Sequence, residues 1–151
     1  QRFNIKLLSE RLMKVTQWTT GLAEVNTLPV GYFGASTGAA SALTAAAQLP
    51  DIIHAVVSRG GRPDLAFELD HVKAPTLLIV GENDPEVMTL NEEARRQMNC
   101  PCTLREVEGA THLFEEPGTL EEVGRLACDW FITYLNNNRE VSVSRQKQND
   151  H

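Results

Sequence analysis

Two apolar rhythms alternate along the chain. Over residues 4–20, Ile5, Leu8, Leu12 and Val15 recur at helical spacing while Lys6, Glu10 and Lys14 face elsewhere. This predicts an amphipathic helix with Asn4 as its N-cap and Gly21 as its stop. Residues 29–33 then read as a short apolar strand, and residues 37–48 as an alanine-rich helix that ends before Pro50. Residues 52–57 are almost continuously apolar, the mark of a strand buried on both faces as in parallel sheets, which makes His54 a core histidine. A loop over residues 58–62 and a short helix over 63–69 lead to a third strand, 76–80, closed by Gly81. A helix over 90–98 and a fourth strand over 103–107 follow. The last helix opens with Thr119 and Glu122, spaced as a capping box. Its stripe is Leu120, Val123, Leu126, Ala127, Trp130, Phe131 and Tyr134. Residues 136–151 are polar and cannot bury enough apolar surface to offset their ordering entropy, so a disordered tail is expected there. Strands alternating with helices imply an α/β fold with a parallel sheet, in one domain over residues 1–135.

Composition narrows the partners. A net charge of −6 argues against nucleic acid or an anionic membrane surface. No apolar run approaches the roughly 20 residues that span a bilayer, and the first residues hold no signal-peptide core. The three cysteines, Cys100, Cys102 and Cys128, cannot all pair within one chain, which points to a reducing compartment and a cytoplasmic protein. Cys100-Pro101-Cys102 has no second cluster of ligands at metal-binding spacing, so neither a metal nor another cofactor is expected.

The chemistry-bearing residues collect where strands end. Gly34-Ala35-Ser36-Thr37-Gly38 fits G-x-S-x-G, in which a strand turns sharply into a helix with a serine at the apex. The competing reading is a glycine-rich turn whose serine caps the helix. Gly81-Glu82-Asn83-Asp84 follows the third strand, and Gly109-Ala110-Thr111-His112 follows the fourth. A serine is too weak an acid to attack unaided at neutral pH, and His112 is the natural base. Asp84 would fix the imidazole tautomer and stabilise the imidazolium. Asp84 also reads as a turn residue before Pro85, and His112 as a loop histidine at the final helix. Glu82 and Asn83 rival Asp84, whereas Glu115 and Glu116 read as solvated charges near a helix start. Arg59 and Arg62 stand at the rim, where they are either surface charge or a bidentate clamp for a substrate carboxylate.

The order Ser36, Asp84, His112, with the stretches Gly31–Ala39, Val57–Leu65, Pro75–Gly81 and Gly109–Gly118, resembles the α/β-hydrolase superfamily and its dienelactone hydrolase-like branch. The resemblance spans residues 28 to about 135. It implies a three-layer α/β sandwich with a mostly parallel sheet, of which only the C-terminal four strands are present. It carries over Ser36, Asp84 and His112 as the triad and the Thr37 N–H as an oxyanion donor. Relatives with this signature are intracellular hydrolases, some joined to a phosphoribosyltransferase domain. Dienelactone hydrolases proper use cysteine where this chain has Ser36, which favours a small ester, thioester or lactone as substrate. The loop that supplies the second oxyanion donor belongs to the first half of the fold, and without that half the first strand becomes an exposed apolar edge. The chain is therefore expected to be the C-terminal part of a larger hydrolase or to pair with another chain, such as a second copy. The short segment between the second and third strands leaves no room for a large cap. A catalytically incompetent hydrolase-like binding or assembly module is the alternative. A flavodoxin-like nucleotide-binding domain is disfavoured, because Ser36-Thr37-Gly38 lacks the lysine of a phosphate cradle.

Overall fold

The computed structural model describes the backbone of residues 2–149 and the side chains of residues 4–136. Helix α1 (Arg2–Thr20) precedes strand β1 (Val30–Ala35) and helix α2 (Thr37–Gln48). Strand β2 (Ile53–Arg59) is followed by two single 3-10 turns, Pro63–Leu65 and Leu69–His71. Strand β3 (Thr76–Gly81), helix α3 (Pro85–Gln97), strand β4 (Cys102–Val107) and helix α4 (Thr119–Asn149) complete the order. The strands lie side by side in chain order, β1-β2-β3-β4, and every pairing is parallel. Parallel strands joined by helical crossovers bring all four carboxyl ends to one rim.

Two apolar clusters fill the two faces of the sheet. On one face Tyr32, Ile53 and Val56 pack against the alanines and Leu43 of α2, together with Ala94 of α3 and Met98 just beyond it. On the other, Val57, Leu77, Ile79 and Val107 meet Val123, Ala127 and Trp130 of α4. Val56 and Val57 are neighbours in sequence and are both fully buried on opposite faces, which is why β2 reads as an unbroken apolar run. The Trp130 indole donates to the Pro75 carbonyl at 3.1 Å and ties α4 to the start of β3. His54 is half-buried near the amino end of β2, away from the rim, and burial lowers its pKa. Among the described residues, no helix is long and apolar enough to cross a membrane.

Several local expectations change. Among the described residues of α1, Ile5, Ser9 and Thr16 are buried, while Leu8 and Val15 are exposed. The helix lies close on the small residues of α2, where hydroxyls fit once they are satisfied. Ser9 bonds back to the Ile5 carbonyl at 2.7 Å, and Thr16 shares a 2.6 Å hydrogen bond with the Tyr32 hydroxyl. Helix α3 starts five residues earlier than expected, because Pro85 occupies the first helical turn, where it is well tolerated. The capping box at Thr119 does not form. Thr119 already lies inside α4 and bonds back to the Glu116 carbonyl, while Glu122 is taken by Arg125. Leu120, expected in the buried stripe, is exposed. The tail expected to be disordered, residues 136–151, instead continues α4 as backbone helix to Asn149. Helical hydrogen bonds are local, so an existing helix can be extended one residue at a time without a core. Residues 150–151 lie outside the described residues.

Candidate active site

Ser36 stands between β1 and α2 with φ 50° and ψ −124°, a conformation that L-residues seldom adopt. Two backbone bonds enforce it. The Ser36 N–H donates to the Arg59 carbonyl at 3.2 Å, and the Ser36 carbonyl accepts from the Arg62 N–H at 3.1 Å. The end of β2 and the loop after it thus fasten the two sides of the elbow. Gly34 is required by space, since a Cβ there would lie 2.6 Å from the Ala39 Cα. Gly38 is not, because a Cβ there would meet nothing within 4 Å. Ser36 occupies the N-cap position of α2, yet its side chain makes no capping hydrogen bond. Thr37 opens the helix, where its N–H has no intrahelical acceptor and faces the positive end of the dipole.

Asp84 and His112 meet directly. His112 Nδ1 lies 2.7 Å from Asp84 Oδ2. A carboxylate can only accept, so the ring nitrogen donates and Nε2 is left as the basic atom of the neutral imidazole. Asp84 sits at the N-cap of α3 and, like Ser36, does not cap it; its carboxylate is spent on the ring instead. Glu82 reaches the Gly109 N–H at 2.8 Å rather than the imidazole. Glu116 accepts from both the hydroxyl and the N–H of Thr111, at 2.6 and 3.1 Å, and the hydroxyl bond in particular lowers its pKa. Glu82 and Glu116 therefore pin the loop that carries His112, a role that sequence spacing did not reveal. Asn83 contributes its N–H to the Ala110 carbonyl at 2.9 Å.

The imidazole and the elbow are joined through Gly60. A Cβ on Gly60 would lie 3.6 Å from His112 Cε1, and the residue before it, Arg59, holds the Ser36 N–H. The Ser36 hydroxyl makes no hydrogen bond to the ring among the described residues. Arg62 is bound through two 2.8 Å hydrogen bonds to Asp64. Arg59 lies over the Phe114 ring, 5.3 Å from its centroid. Between β2 and β3 only the two 3-10 turns intervene, so the rim carries no helical cap there.

A dienelactone hydrolase crystal structure from Anabaena variabilis superimposes with a TM-score of 0.86 at 54% identity, over 88% of this chain and 62% of that one. This chain has an α/β-hydrolase-like fold of four parallel strands, of the dienelactone hydrolase-like kind. A monoacylglycerol lipase from Paleococcus ferrophilus shares the hydrolase fold at 20% identity and TM-score 0.65, over 83% of this chain and 75% of that one. A Mycobacterium tuberculosis protein named "Putative phosphoribosyl transferase" is 58% identical over 134 residues, which are 88% of this chain and 30% of that protein. The hydrolase-fold chain thus spans less than a third of that curated relative. No family model matches it.

Proposed function

We propose that this chain carries the nucleophile, base and acid of a serine hydrolase that cleaves a small ester, thioester or lactone by acyl transfer. The observation that carries the reading is the 2.7 Å bond from His112 Nδ1 to Asp84, made by a carboxylate that forgoes the cap of its own helix. Ser36 Oγ attacks the acyl carbon as His112 Nε2 takes its proton. The Thr37 N–H receives the developing oxyanion. His112 then protonates the leaving oxygen or sulfur, and water repeats the sequence on the acyl-enzyme. Asp84 stays ionised throughout and stabilises the imidazolium. Hydrogen bonds of this kind are commonly loose before substrate binds, so the unbonded Ser36 hydroxyl is compatible with the role. No step calls for a metal or an organic cofactor.

A second reading, a hydrolase-like binding or assembly module without activity, is favoured by the unbonded hydroxyl and by the open edge of β1, where Phe33 is 52% exposed. A fluorophosphonate label separates the two. Labelling of the wild type but not of Ser36→Ala supports the enzyme, and no labelling supports the module. We further propose that the β1 edge is covered by strands of a longer protein, which also bring the second oxyanion donor, or by a second copy of the chain. Size-exclusion chromatography with light scattering on the 151-residue chain tests this, and a well-behaved monomer counts against it. The phosphoribosyl transferase name belongs to a protein about three times as long, and we attribute it to the remainder of that protein. Three unpaired cysteines favour a reducing compartment such as the cytoplasm.

A further inference from the structure

The side chain and the backbone of Arg59 serve different loops. Its carbonyl accepts the Ser36 N–H at 3.2 Å. Its guanidinium crosses to the loop after β4, where Nη1 lies 3.5 Å from the His112 carbonyl and the charged carbon lies 5.3 Å from the Phe114 ring centroid. Phe114 is 2% exposed and holds φ 57°, a left-handed conformation unusual for an aromatic residue. The strained residue just past the base is thus fixed from below by the core and from above by a cation on its ring.

We propose that Arg59 is a positioning residue for His112. It clasps the base loop to the nucleophile elbow, so that the imidazole keeps one orientation toward Asp84 and Ser36. This rests on the hydrolase reading, but it assigns Arg59 to the protein's own loop rather than to a substrate carboxylate. Other contacts hold the loop at different points. Asp84 takes the ring, Glu82 the Gly109 N–H and Glu116 Thr111. Among these braces, Arg59 is the one that belongs to the strand bonded to the elbow. A planar guanidinium can stack on Phe114 and reach a carbonyl together, whereas a lysine offers the charge without the plane.

The test uses the full chain with Arg59→Met and Arg59→Lys, each checked for native far-UV circular dichroism. The first readout is the ¹⁵N shift pair of the His112 ring at alkaline pH, assigned by its loss in His112→Gln. The second is the rate of fluorophosphonate labelling. In the wild type the ring shifts report the Nδ1–H tautomer. In Arg59→Met they move toward the average of two tautomers and labelling slows by about tenfold, as expected for a base displaced by a fraction of an ångström. Arg59→Lys falls between. Unchanged ring shifts in Arg59→Met overturn the proposal, as do ring shifts in Arg59→Lys that are as disturbed as those in Arg59→Met. A wild type that shows the tautomer but takes no label refutes the hydrolase reading and leaves the clasp standing.

Discussion

Replacing Gly81 by alanine separates the work of space from the work of conformation. Gly81 ends β3, is buried and does not adopt a positive φ, so its backbone does not demand glycine. Its surroundings do. A Cβ there would press on the Ala110 carbonyl oxygen and lie 2.8 Å from both the Ala110 carbonyl carbon and the Thr111 oxygen. That is roughly 0.7 Å inside the ~3.5 Å at which carbon atoms pack best. The obstructing atoms are backbone, and Ala110 is fully buried with its carbonyl bonded to the Asn83 N–H at 2.9 Å. The loop after β4 must therefore move as a body. Overpacking of this kind costs about 1–3 kcal/mol. His112 is two residues beyond Ala110 and Asp84 three beyond Gly81, so the same displacement opens the 2.7 Å bond between them. A shift of that size costs up to about 10²-fold in rate. The assay is urea unfolding followed by tryptophan fluorescence, with fluorophosphonate labelling kinetics alongside. The control is Gly124→Ala in α4, where an added Cβ meets nothing. Relief of a helical glycine there should stabilise by about 0.8–1 kcal/mol. Both changes alter the unfolded chain alike, so their difference isolates the folded-state clash. Wild-type stability and labelling in Gly81→Ala would refute the reasoning.

Asp84→Asn should leave the fold intact and reduce labelling of Ser36 by up to about 10⁴-fold, because an amide can hold the ring in the wrong tautomer; a drop of less than threefold removes Asp84 from the role. The lowered pKa of Glu116 means that its hold on Thr111 is complete above the ordinary carboxyl range and is lost as pH falls through the lowered value. The protection of the Thr111 amide against hydrogen exchange, relative to its intrinsic rate at each pH, should therefore fall in acid, and should already be low at neutral pH in Glu116→Gln. The Cys102 thiol is pushed up to about 12, first by burial and then by the neighbouring Cys100, whereas Cys128 is exposed. Maleimide near neutral pH should modify Cys128 well before Cys102, with peptide mapping as the readout. Folding raises that thiol pKa, so its contribution to stability is intact below the ordinary thiol value and declines as pH climbs toward 12.

Much of the fold was readable because parallel strands announce themselves. The runs around Val56 and Leu78 are apolar without alternation, and each is followed by a glycine-bearing loop. The candidate residues could be picked out because each follows a strand; of them, Asp84 and His112 bond to each other and Ser36 stands at a strained turn. What escaped was set by tertiary partners. Ser9 and Thr16 look solvent-facing until the Ile5 carbonyl and the Tyr32 hydroxyl are in place beside them. Leu8 and Leu120 have helical spacing but no neighbour that covers them. Glu82 reads as a rival to Asp84, and Glu116 as solvated charge, because each accepts from a backbone N–H group of the loop after β4, which has no side-chain signature.

The two helix starts at the rim make the same point in energetic terms. Serine and aspartate are among the best N-cap residues, and a cap is worth about 1 kcal/mol. By local rules Ser36 should cap α2, and Asp84, with Pro85 behind it, should cap α3. Neither does. At Ser36 the backbone, at φ 50° and ψ −124°, departs from the extended conformation a capping residue normally takes, and backbone bonds to Arg59 at the end of β2 and from Arg62 in the loop beyond maintain it. At Asp84 the carboxylate abandons the helix for an imidazole 28 residues downstream. Local preference and observed geometry agree along most of the chain, and they part at these two residues, where stabilisation available nearby has been exchanged for contact across the sheet. Such a conflict marks these two residues as candidates for function. A capping hydroxyl at position 36 and a capping carboxylate at 84 would have made the same sequence a more stable and chemically inert domain.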